Sequence, residues 1–302
     1  MAKLYILGNG FDLAHGLETK YSDFRKWLSR KCNRLLFYIL IYNEMGVFSQ
    51  KLDGNWANIE NCLKLNLSRI DEINNAFSKV DFSSYTFATK FFKSSIYGTI
   101  LKVFKNKFRS WVKEIEKQIN KKELKIKEIF DFSADDKFIS FNYTSTLQIV
   151  YKIADANIRQ IHGRISLPNY ITFGTKKNNK SNITEPNEYT YTFNKEYKGK
   201  KETIINKVLP KWCENIEEVV IYGCTFDMES GDFEYFNAFS EYLKGKKIKL
   251  IYYCDESNPN DLQDKNEKEK LIEALNKKNE LDIELVSSID FLKKHEHLNL
   301  KN

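Results

Sequence analysis

The sequence predicts an open, mostly parallel α/β sheet with a long helical insertion after its first strand. Three observations lead there. Short, near-continuous apolar runs, 3–7 and 219–222 among them, stop abruptly at glycine, as strands buried on both faces do. These runs alternate with segments whose apolar residues recur every three or four positions, the pattern of helices that cover a parallel sheet. No run of comparable clarity interrupts the stretch from about Tyr21 to Phe132.

Taken in order, the first strand (3–7) breaks at Gly8-Asn9-Gly10, and 11–16 is long enough only to begin a helix. Helical spacing then dominates, as in Ile59, Cys62, Leu63 and Leu67, or Val103, Phe104, Phe108 and Trp111. The β/α pattern resumes with a strand at 137–141, a helix at 145–153, a short strand at 158–161 and another at 170–173 that ends on Gly174. Residues 176–188 are rich in Lys and Asn, carry Pro186 and read as a loop. A helix near 195–207 precedes the strand that stops at Gly223; helix 233–243, strand 248–253, helix 267–275 and strand 283–286 follow. The remainder, with His295 and His297, reads as a tail. Residues 1–19 and 133–302 are thus expected to form the sheet core, and 20–132 the insertion.

Composition narrows the function classes. At 302 residues and 42% hydrophobic content the chain can bury a core without staples. No segment approaches the ~18 consecutive apolar residues of a membrane span, and the opening reads as a strand rather than a secretory leader. Five scattered cysteines without a CxxC pair, and four dispersed histidines, suit reduced thiols in a cytoplasmic protein without a metal site. The net charge of +7 comes mostly from lysine runs such as 244–249. These read as solvated surface before nucleic-acid contact, because no DNA- or RNA-reading motif accompanies them.

In open parallel sheets ligands bind beyond the carboxyl ends of the strands, so the candidate residues are those that directly follow each strand. Gly8-Asn9-Gly10-Phe11-Asp12 suits a phosphate turn, with close backbone approach and a helix start facing the anion. A tight strand–helix turn with Asp12 as cap explains it equally well. The third glycine of a dinucleotide fingerprint is replaced by Leu13. Asn142, in Phe141-Asn142-Tyr143-Thr144, can hold a water or a ribose hydroxyl, or cap the next helix; Thr144 can serve as that cap instead. His162, followed by Gly163, is either a satisfied structural imidazole or a base with an ordinary pKa of ~6.5. Gly223-Cys224-Thr225 offers another close approach, with Cys224 read as a small buried residue before a nucleophile.

Leu7 to Leu17, with Thr19, Tyr21, Ser22, Asp23 and Phe24, strongly resembles the opening of the AbiH abortive-infection family. Trp56 to Glu60, Phe141 to Thr144 with Leu147 and Tyr151, His162-Gly163, Phe173-Gly174, and Tyr222-Gly223 with Asp232 resemble later blocks of that family in order, to about residue 253. Cys224-Thr225-Phe226 departs from the more usual histidine- or cysteine-serine-leucine. The resemblance implies defence of a bacterial population against phage. A more distant resemblance is to sirtuin-like NADases, and it implies a Rossmann-like (sirtuin-like) sheet. It maps Gly8 and Gly10 onto a phosphate turn, Asn142 onto the catalytic asparagine and His162 onto the catalytic histidine; Asn9 and Phe11-Asp12 depart from that pattern.

The expected activity is hydrolysis of NAD+ without a metal. Gly8, Asn9, Gly10, Phe11, Asp12, Thr144, Gly163, Gly223, Cys224 and Thr225 would hold the dinucleotide, and Asn142 and His162 would do the chemistry. A phage-derived trigger and self-association are the partners such a protein admits. A non-catalytic nucleotide sensor is the first alternative. A nuclease or nucleic-acid-binding toxin, with Asp227 and Asp232 as its only candidate carboxylates, is the second.

Overall fold

The computed structural model describes residues 2–31, 106–119, 129–164, 204–225, 231–254 and 263–299. Outside them fall most of the expected insertion, the expected strand at 170–173 with Gly174, the 176–188 loop, Trp56 to Glu60, Phe226 and Asp227.

Among the described residues six strands form one parallel sheet: β1 (Lys3–Leu7), β2 (Lys137–Ser140), β3 (Ile158–Gln160), β4 (Glu218–Tyr222), β5 (Lys247–Tyr252) and β6 (Asp282–Ser287). Their spatial order is β3-β2-β1-β4-β5-β6, and every pairing is parallel. The chain moves outward from β1 through β2 to β3, then returns to the other side of β1 for β4. The order therefore reverses between β1 and β4, which opens a crevice at their carboxyl ends.

Alternation along the strands sorts the core into two faces. Leu4, Ile6, Ile139, Val219, Ile221 and Leu250 join one cluster, with Tyr235, Phe236 and Phe239 of the covering helix. Tyr5, Leu7, Phe138, Val220 and Tyr222 join the other, with Phe11, Phe130 and Phe291. Both faces of β1 are thus dry, and Leu4 to Leu7 are each no more than 1% exposed.

The helices are α1 (Asn9–Ala14), α2 (Tyr21–Lys31), α3 (106–119), α4 (Thr146–Ile149), α5 (Leu209–Cys213), α6 (Gly231–Phe239), α7 (Gln263–Asn279) and α8 (Ser288–Asn299). Three expectations are changed. The helix expected over 145–153 is one turn, α4, and Lys152 beyond it takes a positive φ of 58°. The expected tail is helical: Ser287 and Asp290 cap α8 at its start, with the Asp290 amide donating to Ser287 Oγ (3.0 Å) and Ser287 Oγ donating to Asp290 Oδ2 (2.6 Å). Phe291 then buries against Tyr222 and Phe130. Of the helix expected at 195–207, residues 204–208 are a π turn leading into α5.

The chain divides into two compact units, Met1–Glu18 with Ile115–Asn302, and Thr19–Glu114. The first holds the sheet. In the second, the Phe24 ring packs on Phe108 (5.2 Å) and Trp111 (5.1 Å), and Trp27 Nε1 donates to Glu114 (2.8 Å). Among the described residues no helix is long and apolar enough to cross a membrane.

Candidate functional site

Backbone hydrogen bonds carry the sheet ladder past the strand ends. The Phe141 amide donates to Leu7 (2.8 Å), Ile161 to Ser140 (2.8 Å) and Gly8 to Tyr222 (2.9 Å). In the register of β2 and β3 Ser140 faces Gln160, so Asn142 and His162 each follow two residues beyond a paired position. Extending the register of β1 and β4 sets Gly8 beside Gly223. The chain therefore leaves β3, β2, β1 and β4 into the His162, Asn142, Gly8 and Gly223 stretches, all at the carboxyl edge of the sheet.

The glycine turn owes its composition first to the next strand. A Cβ on Gly8 would lie 2.4 Å from the Gly223 carbonyl oxygen, and one on Gly10 would lie 2.5 Å from Gly223 Cα. Gly223 itself has φ +69° and meets the Gly10 backbone. The Gly8 and Gly10 amides donate to the carbonyls of Tyr222 and Gly223, and Phe11 N–H donates back to Gly8. Three of the N–H groups that would face an anion are thus taken up by backbone. Asn9 is exposed in the same turn, whereas Phe11 is 1% exposed and packs on Phe130 and His15.

Asp12 does not cap α1, whose N-cap position is Gly8. Its carboxyl group, 1% exposed, meets Thr144 Oγ1 at 2.6 Å and Thr146 Oγ1 at 2.7 Å. Burial pushes its pKa up to about 6 against those two hydrogen bonds, and Glu116 adds to the rise.

Side chains hold the loop after β2 at several of its backbone atoms. The Asn142 amide donates to Ser140 Oγ (3.1 Å), and Gln160 Nε2 donates to the carbonyls of Asn142 (3.4 Å) and Thr144 (2.8 Å). Ser145, at the N-cap of α4, donates from both N–H and Oγ to Glu116. Asn142 and Thr144 are thereby relieved of the capping role. Within this loop the Asn142 side chain is 95% buried by its 5% exposure, and its Nδ2 has no hydrogen-bond partner. A buried amide donor left so is costly unless something else accepts from it.

His162 is 3% exposed, its ring stacked on Tyr143 (5.4 Å) and tilted against Phe141 (5.8 Å), the residues flanking Asn142. Gly163 follows at φ +81°, which turns the chain away from the sheet. Arg164 then grips Asp155 with two bonds of 2.6 and 2.8 Å. On β4's side Cys224 is buried, its Sγ aimed at the carbonyls of Ile6 and Tyr222 (3.8 and 3.7 Å), and Thr225 is exposed.

Several residues that hold this edge escaped the sequence reading. Lys268 of α7, 2% exposed, donates to the carbonyls of Cys224 (2.5 Å) and Thr225 (3.2 Å) and pairs with Asp264 (3.5 Å). His15 Nδ1 donates to Phe11, and its Nε2 accepts from Tyr151, whose oxygen accepts from the Ile129 and Phe130 amides. Burial lowers the His15 pKa and so favours the neutral imidazole, against the hydrogen bond to Phe11. Gln160, two residues before His162 at the end of β3, had a positional signal in sequence; Lys268 looks like any helix-surface lysine.

Fold and site together define an α/β protein with a parallel open sheet and a pre-organised polar cluster at the carboxyl edge beside its switch point. The chain belongs to the Bacteriophage abortive infection AbiH family, whose model matches residues 4–254. That membership carries a role in phage abortive infection. No curated protein matches the chain. The matched span ends after β5, so α7, with Lys268, and β6 and α8 lie beyond it.

Proposed function

We propose that this protein binds NAD+ along the carboxyl edge of β3, β2, β1 and β4 and hydrolyses it to nicotinamide and ADP-ribose. The observation that carries this reading is the Asn142 carboxamide: buried, its Nδ2 without an acceptor, in a loop whose flanking Phe141 and Tyr143 rings pack on His162. A strand order that reverses at β1 is also the order of doubly wound sheets that bind dinucleotides at the reversal.

The chemistry asks little of the protein beyond placement. The bond from the ribose anomeric carbon to the nicotinamide nitrogen breaks, and its electron pair leaves with the ring, which departs neutral and needs no general acid. Water attacks the same carbon, and its proton passes to His162. The Asn142 N–H groups would hold the attacking water or a ribose hydroxyl. Because the Gly8 and Gly10 amides are engaged by backbone, the turn would contribute closeness of approach, with Asn9 the residue facing outward.

The test is NAD+ turnover by purified protein and in phage-infected extract, for wild type, Asn142→Ala and His162→Ala. Turnover that falls by about 100-fold or more in both variants supports the assignment. Unchanged turnover removes both residues from the mechanism, and ligand binding without product, even in infected extract, makes the protein a sensor.

A further inference from the structure

The oxygens of Asp12, Thr144 and Thr146 form a closed circuit. Asp12 Oδ2 lies 2.6 Å from Thr144 Oγ1, Thr144 Oγ1 lies 3.0 Å from Thr146 Oγ1, and Thr146 Oγ1 lies 2.7 Å from Asp12 Oδ1. All three side chains are at most 5% exposed. With Asp12 ionised, two hydroxyl protons must serve three contacts, and one pair of oxygens meets lone pair to lone pair. One further proton completes the circuit: Asp12 O–H donates to Thr144, Thr144 to Thr146, and Thr146 back to Asp12.

We propose that Asp12 is a positioning residue that holds the Asn142 loop through this proton-closed circuit, so that all three of its contacts are hydrogen bonds only while Asp12 carries a proton. Asp12 sits on α1, directly after the glycine turn, and Thr144 lies two residues beyond Asn142. The circuit is therefore the side-chain link between the two halves of the candidate site. The titratable groups around it are Glu116 of α3, bonded to Ser145, and on the α1 side His15 and its partner Tyr151, both engaged with each other. Burial as the largest cause, with Glu116 in support, raises the Asp12 pKa to about 6, consistent with a proton held well above the ordinary aspartate range. The sign follows: the stabilisation is complete below the unfolded aspartate pKa of ~3.9 and is lost as pH rises through about 6.

Asp12→Asn tests this, since an amide donates to Thr144 and accepts from Thr146 without titrating. Thermal midpoints of wild type and Asp12→Asn, measured from about pH 4 to about pH 8, should diverge in the variant's favour as pH rises, while His15 and every other group cancel in the difference. A difference that does not change with pH overturns the proposal. In the wild type a carboxylic-acid C=O infrared band should titrate near pH 6 and persist to higher pH in Thr146→Val, which removes a hydrogen bond that lowers the Asp12 pKa; its absence overturns the proposal even where Asp12→Asn fails to fold. The link to function rests on Asn142 facing the ligand. Neither measurement requires NAD+, so a protein with the pH signature and no turnover sinks the hydrolase reading alone, and turnover without the signature sinks the circuit alone.

Discussion

At the residue scale, several side chains have a structural duty that looks like a ligand duty from sequence. Gly8 and Gly10 are the clearest case. Adding a methyl at either drives it into the Gly223 backbone, which cannot swing aside as a flexible side chain would. Gly8→Ala and Gly10→Ala should each lower stability by about 1–3 kcal/mol in denaturant unfolding, whereas the exposed Asn9→Ala should not. Loss of activity in the glycine variants would then say nothing about phosphate contact; loss in Asn9→Ala would. His15 gives a second residue-level expectation. Its folded pKa lies below the unfolded value of ~6.5, so protonation favours unfolding, and stability should fall as pH drops beneath that value. A His15→Gln variant should lose that part of the acid slope in pH-dependent thermal melts. Tyr151→Phe should cost about 1–3 kcal/mol by leaving His15 Nε2 and the amides of Ile129 and Phe130 without their shared oxygen.

At the scale of elements, capping and clamping explain what periodicity alone missed. The closing helix α8 follows β6 without a loop, because Ser287 ends the strand and caps the helix at once. Ser287→Ala should cost about 1 kcal/mol, read as a lower melting midpoint and loss of helical ellipticity at the chain end. That Ser-x-x-Asp signature stood in the sequence beside an apolar Phe291-Leu292, yet was masked by the polar residues around His295 and His297. The helix at α4 failed in the opposite sense: its apolar spacing continues to Ile153, but Lys152 turns left-handed and Tyr151 is bonded to His15 and the Ile129–Phe130 backbone. α7 shows a third kind of gap. Its Lys268 reaches the β4 exit loop with a fully buried ammonium. Lys268→Met, which keeps the stem and removes the donors, should lower stability by about 1–3 kcal/mol and loosen the Gly223–Thr225 segment in hydrogen exchange.

For the sheet-bearing unit as a whole, the family match stops at residue 254 while the sheet continues. β6 pairs with β5 along its full length, from Lys247 with Asp282 to Tyr252 with Ser287. Leu271 and Leu275 of α7 belong to the core of one face and Phe291 of α8 to the other. A chain ended after residue 254 should therefore expose the β5 edge and both core faces, and aggregate on expression; a monodisperse, cooperatively melting truncation would show that the matched span is a unit by itself.

Short apolar runs, those of β1 and β4 ending on glycine, were enough to read β1, β2, β4, β5 and β6 nearly to the residue, since burial leaves a local mark in composition. Sequence also marked Asn142 and His162, because a polar residue directly after such a run has few reasons to be there. Tertiary structure alone decided which strands are neighbours, and so which residues share an edge. It gave Gly8 and Gly10 to Gly223, Asp12 to Thr144 and Thr146, and Lys268 to Cys224, partners 43 to 218 positions away in cases such as Lys268 with Thr225 and Cys224 with Ile6. Strand identity is set by the few residues of the strand itself, whereas a hydrogen-bond partner is set by the order in which the sheet assembles, and no local pattern encodes that order.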